Sequence, residues 1–331
     1  MITRLPPPAR VWLLALLAAL AAVAPARAVV VRDNISYNKL VSLGKAGQFK
    51  AVGMIQIDYG FGYEPIASAT LITPNLVMSA GHVFDKNALT GAKRVRFILG
   101  GENLRIDFQT PGVVHVHPKY NAFTLDNDIS VAKLSTNSSV KPAVLYGGTK
   151  EKGQLGTLVG FGDTGNGTIG SSVTNTRKLA GTNTIDFVSK TVLETDFDMP
   201  NNPSKSTFGD KSPITYESTL GPGDSGGGLW VQVNGQWAVA GVNSFGEQSR
   251  GSSQEDTYGW LSGFTRVSAY ISFIKGYGNP TVIGRGSLTS GVFATAKDDA
   301  PRDSSSRSPR VRLMRVPVHK VVVHASPAPA N

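Results

Sequence analysis

The chain has 331 residues and a net charge of +10, of which residues 1–28 supply three and residues 297–331 four, so the stretch between is only weakly basic. With no basic stripe interleaved with aromatics in that stretch, the charge excludes a nucleic-acid partner. Cysteine is absent, so stability must come from core packing, which a chain of this size can supply, and thiol usage says nothing about the compartment.

Arg4 and Arg10 precede an apolar stretch over residues 11–23, and Ala26-Arg27-Ala28 follows as a small-x-small cleavage site. Residues 1–28 therefore read as a signal peptide, predicting secretion or residence in the periplasm or cell envelope. The apolar stretch falls short of the roughly 20 residues a bilayer span needs, so no stable membrane span is expected. Residues 29–49 follow as an N-terminal segment and candidate propeptide.

From residue 50 the pattern is all-β. Short apolar, β-branched runs at 51–57, 95–99, 113–116, 155–159 and 237–242 are separated by Gly, Asn, Pro and Ser. A helical period is predicted only at residues 269–274. The reading divides into a first β unit at 50–148, a second at 149–276 and a basic low-complexity tail at 277–331. After Gly291 the composition turns to Asp, Ser, Arg and Pro, too polar to offset the entropy of ordering. A flexible tail able to contact an anionic surface is expected. Its weakly alternating stretch 311–324, with Val316, Val318 and Val321 to Val323, could add a strand to an edge.

Gly223-Asp224-Ser225-Gly226-Gly227 carries the chemistry. Glycines on either side of a serine permit backbone angles that a Cβ forbids and leave room for a carbonyl to approach. Serine is a weak nucleophile at neutral pH and needs a base and a group to orient that base. His82, in Ala80-Gly81-His82, is the candidate base. Asp128 is the candidate orienter. Asp126 competes with it from the same side of an extended chain. His115 and His117 share the spacing of a strand face. No third ligand is near them in sequence, and no metal or organic cofactor is expected.

These segments, in the order His, Asp, Ser, resemble the chymotrypsin/trypsin-like serine proteases. Leu71-Ile72-Thr73-Pro74-Asn75-Leu76-Val77-Met78-Ser79 leads into the histidine; His117-Pro118-Lys119-Tyr120-Asn121 precedes the aspartate. Val159-Gly160-Phe161-Gly162, Ser244-Phe245-Gly246 and Phe264-Thr265-Arg266-Val267 complete a match over roughly residues 50–276. The resemblance implies two antiparallel six-stranded β-barrels with a short C-terminal helix. It also implies an exported endopeptidase acting on proteins or peptides, with His82, Asp128 and Ser225 as triad and the amides of Gly223 and Ser225 as oxyanion hole. Thr219 would form the base of the specificity pocket and Ser244, Phe245, Gly246 and Phe264 its walls. Trypsin-like members that cleave after Arg or Lys carry an aspartate where Thr219 stands, so a neutral, medium-to-large apolar residue is expected before the scissile bond. Asp224 would have a structural role, binding a buried N-terminal ammonium.

The chain departs from the family in two ways. Val83 and Phe84 follow the histidine where a disulfide is common, and no Ile-Val-Gly-Gly-like start is present. Cleavage after Lys39 would expose a Leu-Val terminus; alternatively, loss of the signal peptide is sufficient, or the site forms without a terminal amine. A non-catalytic homologue serving as a binding or envelope module is the alternative reading. The chain order excludes the Ser-Asp-His arrangement of α/β-hydrolases.

Overall fold

The computed structural model describes residues 29–209, 213–249, 252, 254–284 and 316–317. The predicted signal peptide and nearly all of the tail beyond Gly284 lie outside the described residues.

Alternation of apolar and polar residues sets the first sheet. Its seven strands run in the order Glu102–Ile106, Arg94–Leu99, Val52–Asp58, Tyr63–Thr73, Leu76–Ser79, Ser130–Lys133 and Val114–Val116, all antiparallel. Arg94–Leu99 shows the pattern plainly, with Val95, Phe97 and Leu99 buried between less buried residues. Pro74-Asn75 turns Thr73 back onto Leu76. The second sheet follows the path Leu179–Thr184, Leu155–Gly160, Gly228–Val233, Gln236–Glu247, Leu261–Arg266, Val192–Asp196 and Phe187–Val188. Asn234-Gly235, both at positive φ (49° and 80°), closes the hairpin between Val233 and Gln236, as a two-residue turn with the twist of its flanking strands requires.

The two antiparallel β units are present, but the strands do not fall six to each. The first sheet has seven. The second gains Leu145–Tyr146, Val282–Ile283 and Val316–Pro317 beside its main path. A separate four-stranded sheet joins Gly170–Val173, Thr164–Asn166, Val30–Val31 and Ser218–Thr219. The closing helix is a 3₁₀ turn, Val267–Tyr270, running into Ile271–Lys275.

The largest buried cluster spans both units, joining Ile55, Leu71, Phe97 and Val131 to Trp230, Val239 and Val242. Phe49 meets Trp230 and Trp237 edge-on at 5.4 and 5.2 Å, a favoured aromatic geometry. A second cluster, with Leu158, Leu193, Leu229, Val231 and Phe264, fills the second sheet. The candidate propeptide segment is built into the fold. Val29, Val30 and Val31 are buried, and a helix at Tyr37–Gly44 that the sequence reading lacks buries Leu40 and Val41 with Leu179. That helix is short and its N-cap serine makes no capping bond, so packing rather than local signals forms it.

Candidate active site

His82 and Asp128 are delivered by neighbouring strands. Leu76–Ser79 ends three residues before His82, which sits in the single turn Gly81–Phe84. Ser130–Lys133 pairs with that strand, Ser79 opposite Ser130, so the residues just outside both ends meet. Leu125 and Asn127, at φ 54° and 55°, fold the chain to bring Asp128 inward. Asp128 Oδ1 accepts the His82 backbone N–H at 2.8 Å, and Oδ2 faces His82 Nδ1 at 2.8 Å. On the far side of the ring, Nε2 lies 2.7 Å from Ser225 Oγ. All three residues are buried. Ser244 Oγ donates to Asp128 Oδ2, and Thr265 Oγ1 donates to the Asp128 carbonyl at 2.7 Å. Asp126 is turned elsewhere, accepting from Thr124 Oγ1 at 2.8 Å.

The serine loop is clamped by the first sheet. Ser68 N donates to the Ser225 carbonyl at 2.8 Å, and Ser68 Oγ donates to the Gly223 carbonyl at 3.0 Å while accepting the Phe161 N–H at 2.9 Å. Gly223 and Gly226 adopt φ 94° and 80°, and a Cβ on Gly226 would lie 1.9 Å from Ser79 Oγ. Only glycine meets both demands at 226. Asp224 is fully buried; its carboxylate accepts the N–H of Gly162 at 2.9 Å and of Gly221 at 3.0 Å. Burial pushes its pKa up to about 7 against the pull of those amides, with Asp163 and Asp256 adding negative charge nearby. Asp256 is likewise pushed up to about 7 by burial.

Thr219 Oγ1 lies 2.7 Å from Ser262 Oγ, which also accepts the Leu220 N–H at 3.0 Å. The predicted pocket base is thus a self-satisfied pair of hydroxyls. A Cβ on Gly246 would lie 2.3 Å from Trp260 Nε1, so this glycine makes room for an indole. That indole N–H is buried and has no acceptor among the described residues. Phe245 packs with Leu125, Val192 and Tyr120 on the side of Asp128. Phe264 belongs to the second hydrophobic core, with Leu193 and Leu229. A shallow cleft is lined by Pro65, Ile66, Ala67, Phe161, Pro222 and Gly223.

The structure therefore brings His82, Asp128, Ser225, Gly223 and Ser244 together and sets Asp224 directly behind them. Sequence reasoning missed Ser68, Trp260 and Ser262, whose roles depend on partners far away in the chain. His115 stacks on Tyr277 at 3.8 Å, and His117 meets Tyr270 and Phe273 edge-on. Among the described residues no group of three His, Asp or Glu side chains is placed to hold a metal, and no helix is long and apolar enough to cross a membrane.

The family model described as Trypsin matches residues 43–274. The chain belongs to the trypsin family. It is similar to chymotrypsin-C of Bos taurus, 31% identical over 220 residues covering 62% of this chain and 75% of the relative. Brachyurin of Leptuca pugilator is 27% identical over 62% of this chain and 84% of the relative. Chymotrypsin-like elastase family member 1 of Bos taurus is 28% identical over 67% and 82%. The chain is thus a chymotrypsin-like serine protease, a peptide hydrolase by family, and its substrates are proteins or peptides.

Proposed function

We propose that this protein is an exported serine endopeptidase with His82, Asp128 and Ser225 as its triad. One observation carries the assignment. Asp128 Oδ2, the His82 ring and Ser225 Oγ form an unbroken line of contacts of 2.8 and 2.7 Å. His82 takes the Ser225 hydroxyl proton as Oγ attacks a peptide carbonyl, then gives it to the leaving amine. Asp128, fixed by Ser244 and by the His82 amide, holds the imidazole in the required tautomer and stabilises its cation. The amides of Gly223 and Ser225 receive the oxyanion, an effect worth ~3 kcal/mol per donor. Water then hydrolyses the acyl-enzyme.

Cleavage follows a neutral apolar residue of medium size. Thr219 and Ser262 satisfy one another, no carboxylate stands at the pocket base to match a buried cation, and Trp260 narrows the space beside Gly246.

Removal of the signal peptide after Ala28 is the step that completes the site. Val30 pairs with Thr219 in antiparallel register, which carries Val29 toward Leu220 and Gly221, the latter a donor to Asp224. Val29 is fully buried, and its carbonyl accepts from Thr164 Oγ1 beside Asp163. A free ammonium at Val29 would answer the negative charge of Asp224, Asp163 and Asp256. The Lys39–Leu40 bond, by contrast, lies inside a helix with Leu40 buried, where a processing enzyme has no extended chain to grip.

The test is fluorophosphonate labelling of protein recovered from the exporting cell, with mass spectrometry of the labelled peptide and of the N-terminus. Label on Ser225, its loss in His82→Ala, and an N-terminus at Val29 are expected. A folded, Val29-terminated protein that takes no label would return the chain to the non-catalytic alternative.

A further inference from the structure

Gly246 and Ser262 are directly opposed in the antiparallel pair formed by Gln236–Glu247 and Leu261–Arg266. Opposed residues project to the same face of a sheet. The face on which Ser262 meets Thr219 is therefore the face where a side chain at 246 would stand. Trp260 lies two residues before Ser262, and its indole takes that place. A Cβ on Gly246 would meet the ring at Nε1 and lie 2.9 and 3.1 Å from Cε2 and Cζ2. The ring thus rests against the wall assigned to Gly246, on the pocket side whose base is the Thr219–Ser262 pair.

Burial of this ring is not matched by anchoring. Trp260 is only 3% exposed, yet among the described residues it joins none of the buried apolar clusters and its N–H has no acceptor. An indole N–H withdrawn from water without a partner opposes its own burial. Trp230 shares that feature, but its ring is held in the largest cluster, with Phe49 edge-on at 5.4 Å. The Trp260 backbone is fixed where its ring is not. Its N–H donates to the Thr257 carbonyl at 2.9 Å, and its carbonyl accepts from Phe197 at 3.0 Å. Movement of the ring therefore needs only its side-chain torsions, which pass between staggered wells while the sheet stays in place.

We propose that Trp260 is a specificity-determining gate, whose indole fills part of the pocket in the resting enzyme and is displaced by the larger substrate side chains. The proposal rests on the triad and pocket assignments above. Displacement returns the indole N–H to water, and the entering side chain restores the buried apolar contact above Thr219 and Ser262. A leucine before the scissile bond needs the place of the ring. An alanine stops short of it and binds with the ring seated. The cost of opening the gate falls on the first and not on the second, so Trp260 sets how strongly the pocket prefers large residues to small ones.

The experiment uses three Val29-terminated proteins: wild type, Trp260→Ala, and Trp260→Phe, which keeps an aromatic ring in the pocket and retains Trp230 and Trp237. The probes are two short peptide aldehydes, ending in leucine or alanine, and the matching chromogenic peptides. The leucine aldehyde is expected to shift the wild-type tryptophan emission to the red, as a buried ring reaches water. The alanine aldehyde should leave it unmoved, and Trp260→Phe should respond to neither. A gate open in about one resting molecule of ten raises the apparent KM about tenfold. Trp260→Ala should therefore lower KM for the leucine peptide about tenfold, with kcat and the alanine KM moving far less. No emission shift in wild type, with normal Ser225 labelling, makes the ring a fixed wall; it overturns the gate and leaves the triad reading intact. The same shift in Trp260→Phe, or an equal fall of both KM values in Trp260→Ala, also overturns it. Absence of both labelling and hydrolysis in all three is failure of the triad reading itself, and the gate falls with it.

Discussion

Ser244 Oγ donates to Asp128 Oδ2, the carboxylate oxygen that also faces His82 Nδ1. Ser244 comes from the second sheet and Asp128 from the first, so this bond fixes the orienting carboxylate across the junction between the two. Hydrogen bonds to a buried charge are worth about 1.5–3 kcal/mol. Ser244→Ala is therefore expected to lower kcat about tenfold with KM nearly unchanged, measured by steady-state kinetics on a short peptide. An unaltered kcat would show that the His82 amide and the Thr265 hydroxyl hold Asp128 without help.

The buried ion pair of Arg266 and Glu151 is the clearest stability prediction. Arg266 Nε and one terminal nitrogen bind the two Glu151 oxygens at 2.8 and 2.7 Å, and the other terminal nitrogen donates to the Ser189 carbonyl at 2.9 Å. Removing one partner strands a buried charge, so Glu151→Ala should cost about 3–5 kcal/mol in urea unfolding. The double variant Glu151→Leu with Arg266→Met should recover most of that loss, because the desolvation cost goes with the charges.

A third prediction concerns pH. Burial raises Asp224 and Asp256 from 3.8 to about 7 and Glu217 from 4.5 to about 9. Between the unfolded and folded values the folded chain binds more protons than the unfolded one. Stability therefore falls as pH rises, from about 4 to 7 for the two aspartates and on to 9 for Glu217. An ammonium at Val29 favours the charged form of Asp224 and removes its share of that slope. Chemical unfolding between pH 4 and 8 should show a shallower fall for Val29-terminated protein than for a form with extra residues ahead of Val29. Identical slopes would rule out the pairing.

The pocket yields a fourth. Thr219→Asp combined with Ser262→Gly replaces the hydroxyl pair by a carboxylate with space above it. Profiling on a peptide mixture should show cleavage after Arg or Lys appearing and cleavage after apolar residues declining. If basic residues are still refused, Thr219 is not at the pocket base.

Much of the site was legible in the chain because its signals are local. The glycines around Ser225 and the short strand ahead of His82 each need only their neighbours to be recognised, and the choice of Asp128 over Asp126 rests on the resemblance of the run after it to the strand that follows the family's aspartate. The sequence alone also established the β-rich composition, the absence of disulfides and the position of the closing helix. Tertiary structure decided the rest. Ser68 is an ordinary strand serine until the fold sets its hydroxyl on Gly223, 155 residues away. Trp260 matters only because Gly246 leaves space for its ring. Val29 to Val31 read as the start of a candidate propeptide, yet they are buried, with Val30 and Val31 paired to Thr219 and Ser218. Local patterns fix what a segment can form; which partner it meets depends on chain closure over hundreds of residues, and that is settled by the burial of the whole core.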